Sequence, residues 1–92
     1  MIRPDDRLRR RDRVLVQRAA DKQILLDLDG GQYYALDEVS GQVWDLCDGT
    51  RSIATVIEAV CGSYDAPPEV ITEDVWTFLE ELVDEKLVIV EA

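Results

Sequence analysis

Histidine is absent from all 92 residues, which removes the commonest general base and the usual nitrogen ligand of zinc and iron. Cysteine is nearly absent. Cys47 and Cys61 stand fourteen positions apart with no basic neighbour to hold a thiolate, so each reads as a small buried apolar group rather than a nucleophile or half of a metal pair. No apolar run approaches the roughly 18 residues that a membrane span needs. The first residues, MIRPDDRLRRRDR, lack the apolar stretch of a secretory signal. Gly30-Gly31 is too short for a phosphate-binding loop and precedes a strand rather than a helix. Carboxylates are plentiful, but they fall on faces expected to be solvated, so none is singled out as an acid–base pair. The expectations are a cytoplasmic, non-enzymatic chain without metal or cofactor.

Positive charge is scarce over most of the chain. Residues 1–22 hold eight of the ten basic residues, whereas residues 23–92 hold only Arg51 and Lys86 against sixteen acids. The body is therefore strongly anionic. It repels phosphate backbones and steers basic peptides toward itself, although the same acidity also serves plain solubility. Ninety-two residues make one small domain that buries roughly 60% of its unfolded-chain surface.

The periodicity places the elements. Residues 1–11, with three consecutive arginines at Arg9 to Arg11, show none and read as a flexible basic arm; residues 12–92 read as a single domain. Val14 to Val16 predict a first strand. Ile24, Leu26 and Leu28 alternate with Asp27 and Asp29 in a second, and Gly30-Gly31 supplies the positive φ of a hairpin. Gln32 to Leu36 is the return strand, with Tyr34 and Leu36 facing the core and Tyr33 and Ala35 facing away. Asp37 caps a helix stopped by Asp48-Gly49, and Ser52 caps a second carrying Ile53, Val56, Ile57, Val60 and Cys61. A third runs from about Pro68 to Lys86, with Ile71, Val75, Phe78, Leu79 and Leu82 in one sector and Trp76 and Val83 to one side. Leu87 to Val90 reads as a short tail packing back on the sheet. The fold class is α+β, winged helix-turn-helix-like: a three-stranded antiparallel sheet followed by three helices.

A winged-helix layout raises DNA binding, yet residues 68–92 carry eight acids and a single Lys86. A reading helix needs basic or amide side chains at bases and phosphates. Strand addition at an open sheet edge fits better. Gln32, Tyr33, Tyr34, Ala35 and Leu36 offer the edge, and Trp76, Leu79, Glu80 and Val83 are the candidate helix side of a groove. The plainer alternatives are that Trp76 and Val83 are core periphery, that Tyr33 and Tyr34 are ordinary strand aromatics, and that Asp27 and Asp29 are solvated hairpin residues. Homodimer pairing at the edge is a further alternative.

The run LDLDGGQYYALD from Leu26 to Asp37, followed by Gly41, Trp44-Asp45-Leu46 and Asp48-Gly49, resembles the PqqD-like family. Asp74-Val75, Phe78-Leu79, Leu82 and Leu87-Val88 extend the resemblance to nearly the whole chain. Lys86 departs from it, standing where Gly is common before the final Leu-Val. The resemblance implies a recognition element for ribosomally made, post-translationally modified peptides. Such a domain binds a precursor's leader as a strand against the third helix and does no chemistry itself. It is most similar to the stand-alone leader-binding proteins of lasso-peptide pathways, which implies a cysteine-protease leader peptidase and a macrolactam cyclase as partners. An acidic residue such as Glu80 or Asp84 would meet a basic leader residue. A PqqD-type chaperone delivering a precursor to a radical-SAM enzyme, and a docking subunit with no peptide affinity of its own, are the alternatives. Monomer and weak dimer both stay open.

Overall fold

In the computed structural model, which describes residues 2–91, two antiparallel sheets enclose a helical core. One sheet is a meander of β2 (Val14–Ala19), β3 (Lys22–Asp27) and β4 (Tyr33–Leu36), in that order. The other sets β1 (Arg7–Arg10) between β5 (Asp48–Ser52) and β6 (Val88–Glu91). The helices are α1 (Glu38–Leu46), α2 (Ile53–Ser63) and α3 (Pro68–Asp84). The expected meander and its three helices are therefore present, with a second sheet added.

The hairpin between β3 and β4 uses its two glycines for different reasons. The amide of Asp27 donates to Gln32 O at 2.9 Å, and that of Gly31 to Asp27 O at 2.8 Å. Gly31 sits at φ +70°, where a side chain is strained. At Gly30 a Cβ would come within 2.8 Å of Asp27 Oδ2. Asp27 itself is only 7% exposed and accepts from Asp29 N at 3.0 Å, so it is a structural turn residue rather than a solvated one. Asp29 is clamped by Arg11 and Arg13, both at 2.7 Å. The Arg13 hydrogen bond is the largest influence holding its carboxyl below the usual range.

The core face of β3 is not the more apolar one. Leu25, fully buried, faces inward together with Gln23 and Asp27, while Ile24 and Leu26 take the outer side. Hydrogen bonds to both polar side chains make that orientation tolerable. On β4 the expected division holds: Leu36 is buried, Tyr34 half-buried, and Tyr33 75% exposed.

Of the basic arm expected over residues 1–11, residue 1 lies outside the described residues and residues 2–11 are structured rather than flexible. Ile2 and Leu8 are buried, and β1 pairs with β6 from Arg7↔Glu91 to Arg10↔Val88. The arginine run hides this strand because its cations bond across the fold. Arg9 pairs with Glu91. Arg10 Nη1 donates to Trp44 O and Asp45 O at 2.9 and 2.8 Å, satisfying carbonyls at the end of α1. The supposed C-terminal tail is β6, paired to β1 rather than to the meander.

Caps fall where the sequence puts them for α1 and α2. Asp37 accepts from Ser40 N at 2.9 Å and Ser52 from Thr55 N at 3.2 Å. Helix α3 opens on a proline and closes differently. The amide of Lys86 donates to Val83 O, and that of Leu87 to Leu82 O, at 3.0 and 2.9 Å. This is the paired-bond ending that places one residue in the left-handed region, and Lys86 occupies it at φ +60°. A Lys86→Gly variant should gain stability, by up to about 1 kcal/mol once the greater freedom of its unfolded chain is set against the relieved strain. Urea unfolding midpoints measure it, and an unchanged or lower midpoint refutes the strain assigned to Lys86.

Candidate functional site

Strand β4 is one edge of its sheet. The bond between Asp27 and Gln32, with the register Leu25↔Tyr34 and Gln23↔Leu36, makes Tyr34 and Leu36 the residues that exchange backbone bonds with β3. Antiparallel alternation then turns the peptide groups of Tyr33 and Ala35 outward. Tyr33 and Ala35 thus present the free ladder groups of this four-residue strand, which has no strand beyond it among the described residues.

Beside this edge lies a cavity of about 240 Å³. Leu25, Tyr34 and Leu36 line its sheet side, and Phe78, Leu82, Glu81 and Glu85 its helix side, with Asp84 and Leu87 at the same end of α3. The two sides are fastened together by the Tyr34 hydroxyl, 2.7 Å from Gln32 Oε1 and 3.1 Å from Glu85 Oε2. One phenol proton serves both acceptors. Burial, and then the bond to Glu85, push the Tyr34 phenol up, so it stays neutral throughout the physiological range. The lining contains no cation. An apolar trough with an acidic rim and a free strand edge suits an extended peptide carrying apolar and basic residues.

Of the residues singled out from sequence, Tyr34 and Leu36 line this trough, and Gln32 bonds to Tyr34. Tyr33 and Ala35 contribute backbone edge, their side chains lying on the exposed outer face. The helix residues fall elsewhere. Leu79 is fully buried in the core, Val83 packs half-buried against it, and Glu80 is absent from the lining. Trp76 lines a separate shallow hollow with Pro68, Thr72 and Thr77. The flank of α3 that meets β4 is instead Phe78, Glu81, Leu82 and Glu85, at the i, i+3, i+4, i+7 spacing of one helix face. At 100° per residue this stripe and the one through Trp76 and Val83 lie on opposite sides of the buried row Ile71, Val75, Leu79. The periodicity identifies that buried row but not which flank turns toward the sheet.

Chemistry beyond binding finds little support among these side chains. The Cys47 thiol is buried and its pKa pushed up to about 12, chiefly by burial. Cys61 Sγ lies 3.9 Å from both Pro68 O and Thr72 Oγ1. Among the described residues no cluster of three or more His, Cys, Asp or Glu is arranged to hold a metal ion, and no helix is long and apolar enough to cross a membrane.

Fold and site together define a winged-helix-like α+β domain with an open strand edge above a helix-walled trough. The family of coenzyme PQQ synthesis protein D (PqqD) matches residues 22–88, and the chain belongs to the PqqD family. The PqqA binding protein of Bradyrhizobium diazoefficiens is 40% identical over 50 residues, which are 54% of this chain and 48% of that protein. Its namesake from Rhodopseudomonas palustris strain TIE-1 is 38% identical over 50 residues, 54% of this chain and 49% of its own. The chain thus matches about half the length of these relatives. In three dimensions it is similar to TbiB1 in complex with the TbiA(beta) leader peptide. That likeness has a TM-score of 0.76 and 26% identity, covering 87% of this chain and 93% of that one. A lasso peptide synthetase B1 complexed with its leader peptide has the same TM-score at 18% identity, covering 89% and 96%; this second likeness is one of fold.

Proposed function

We propose that this protein binds the leader of a ribosomally made precursor peptide as a strand added to β4, seated against Phe78, Glu81, Leu82 and Glu85. The observation that carries the reading is the free β4 edge directly above an apolar, acid-rimmed trough. The likeness to TbiB1 in its leader complex supports it. In this reading the protein performs no reaction. It presents the precursor to a cysteine-protease leader peptidase, and then to a macrolactam cyclase, of a lasso-peptide pathway in the cytoplasm. A PqqD-type role, handing a precursor to a radical-SAM enzyme, is favoured by one specific observation: the curated relatives are PqqA binding proteins.

Calorimetric titration with the leader segment of the precursor encoded beside this protein tests the reading. Saturable one-to-one binding without cleavage is expected. Proline scanned along the peptide should abolish binding at alternate positions, those whose N–H pairs with β4. Absence of binding, together with tight association with the peptidase, would instead make the protein a docking subunit. The pathway enzyme encoded alongside separates the lasso from the radical-SAM role.

A further inference from the structure

Among the described residues the two sheets have four outer strands, and β4 differs from the other three. Strand β2 carries Arg18 and β6 carries Glu91. Strand β5 carries Asp48 and Arg51, and pairs with β1 through a shift of register. Charges and irregular pairing of that kind keep an edge from accepting a further strand. Strand β4, Tyr33-Tyr34-Ala35-Leu36, has neither a charge nor a shift. Its inner pair, Tyr34 and Leu36, belongs to the trough. Its outer pair, Tyr33 and Ala35, lies on the exposed face, and the trough gives no reason for leaving it uncharged.

That outer face is apolar up to the open edge. The pairing sets Leu15 opposite Leu26, and Leu26 opposite Tyr33, so these side chains form one row across the meander. The next row is Gln17, Ile24 and Ala35. Leu15 is 54% exposed and Tyr33 75%. A shallow hollow of about 380 Å³ lies here, lined by Leu15, Val16, Gln17, Ile24, Leu26 and Tyr33, none of them charged. A one-sided antiparallel sheet normally turns polar side chains to water. At the edge itself Ala35 is the small residue between larger ones. A side chain laid over it meets the ring of Tyr33 along the strand and Ile24 across it.

We propose that the leader is read on both faces of its strand: besides the side chains it lowers into the trough, it lays an apolar one over Ala35, against Tyr33 and Ile24. The inference rests on the reading of the β4 trough as the leader site. Any strand added to β4 turns alternate side chains outward, whichever way it runs. The first surface those side chains reach is the uncharged one of Tyr33, Ala35 and Ile24. This narrows the class of peptide. A leader that fits only the trough needs apolar residues at every second position. A leader that fits this protein carries them at neighbouring positions, of both parities, over the span that faces β4.

Calorimetry on the full chain tests this, using the leader segment of the precursor encoded beside this protein and the same peptide with serine at each position in turn. Tyr33 is exposed, so its substitution leaves the fold in place. Tyr33→Ser should weaken binding about three- to tenfold, and Tyr33→Phe, which keeps the ring, less than about twofold. Serine should weaken binding at both odd and even peptide positions. The losses at one parity should shrink in Tyr33→Ser and those at the other in Phe78→Ser, as contacting pairs require. Serine-sensitive positions confined to one parity overturn the two-faced reading and leave the trough intact as the leader site. Parent-like affinity in Tyr33→Ser does the same. No binding of the unsubstituted leader to the unsubstituted protein overturns both.

Discussion

Phe78→Ser weakens leader binding about 10- to 100-fold, whereas Trp76→Ser changes it less than about threefold: this is the expected result of cutting one aromatic from each flank of α3. Both rings are half-buried against the same core, so their removal costs comparable packing. Only Phe78 faces the trough under β4. Its ring supplies apolar area to whatever lies along Tyr34 and Leu36, and losing a side chain of that size on a binding surface is worth roughly 1.5–3 kcal/mol, which is the predicted range of affinity loss. A pair of charge reversals repeats the contrast without touching the core. Glu81→Lys and Glu80→Lys alter net charge equally, but only Glu81 lies on the rim. If the trough is the leader site, the first weakens binding of a basic leader by about tenfold and the second by less than about twofold. Calorimetry on the four variants, corrected for folded fraction, decides the matter. A larger loss for Trp76→Ser than for Phe78→Ser would return the peptide to the other flank.

Leu79→Ala should be the most damaging single truncation of α3, costing about 2–5 kcal/mol of stability. Leu79 has 0% exposure and stands in the buried row with Val75 and Leu82. Its loss leaves a cavity that neighbouring helices close only in part. A domain of this size has roughly 5 kcal/mol or little more to lose, so the variant will sit near its unfolding transition. Leader affinity per folded molecule should nevertheless stay within about threefold of the parent, because Leu79 faces away from the trough. Urea denaturation paired with titration in a stabilising osmolyte reads the two effects separately. Full stability retained in Leu79→Ala would contradict the burial; lost affinity with a full folded fraction would place Leu79 in the site.

Where local chemistry decides the structure, the sequence is a good guide. Asp37 and Ser52 cap helices, Gly31 turns a hairpin, and Tyr34 and Leu36 take the core side of β4 as alternation requires. It misleads where partners distant along the chain decide. Strand β1 contains one apolar residue among three arginines, and becomes a strand because β5 and β6 bracket it, while far-off carbonyls of α1 take the cation of Arg10 and the carboxylate of Glu91 that of Arg9. Strand β5, Asp48–Ser52, has the composition of a helix stop and pairs only through β1. On β3 the apolar face is the outer one, with Gln23 bonded to the distant Gly41 and Asp45 of α1 and Asp27 to Asp29 in its own hairpin. The trough itself depends on the rotation of α3 about its axis, which hydrophobic spacing leaves ambiguous between two flanks. That one rotation replaced Trp76, Glu80 and Val83 by Phe78, Glu81 and Glu85 at the proposed peptide wall.

The two sheets also differ in how far apart along the chain their partners stand. Every pairing in the meander joins residues from Val14 to Leu36, so the edge proposed to receive a peptide closes only short loops. The small sheet joins Arg7 to Glu91 and closes nearly the entire polypeptide. Loop-closure entropy makes the first assemble early and the second late. The meander is thus expected to organise first, and the zipping of β1 between β5 and β6 to follow it. Hydrogen exchange during refolding should protect Leu25 before Leu8, so the strand edge would begin to take shape before the two ends of the chain have met.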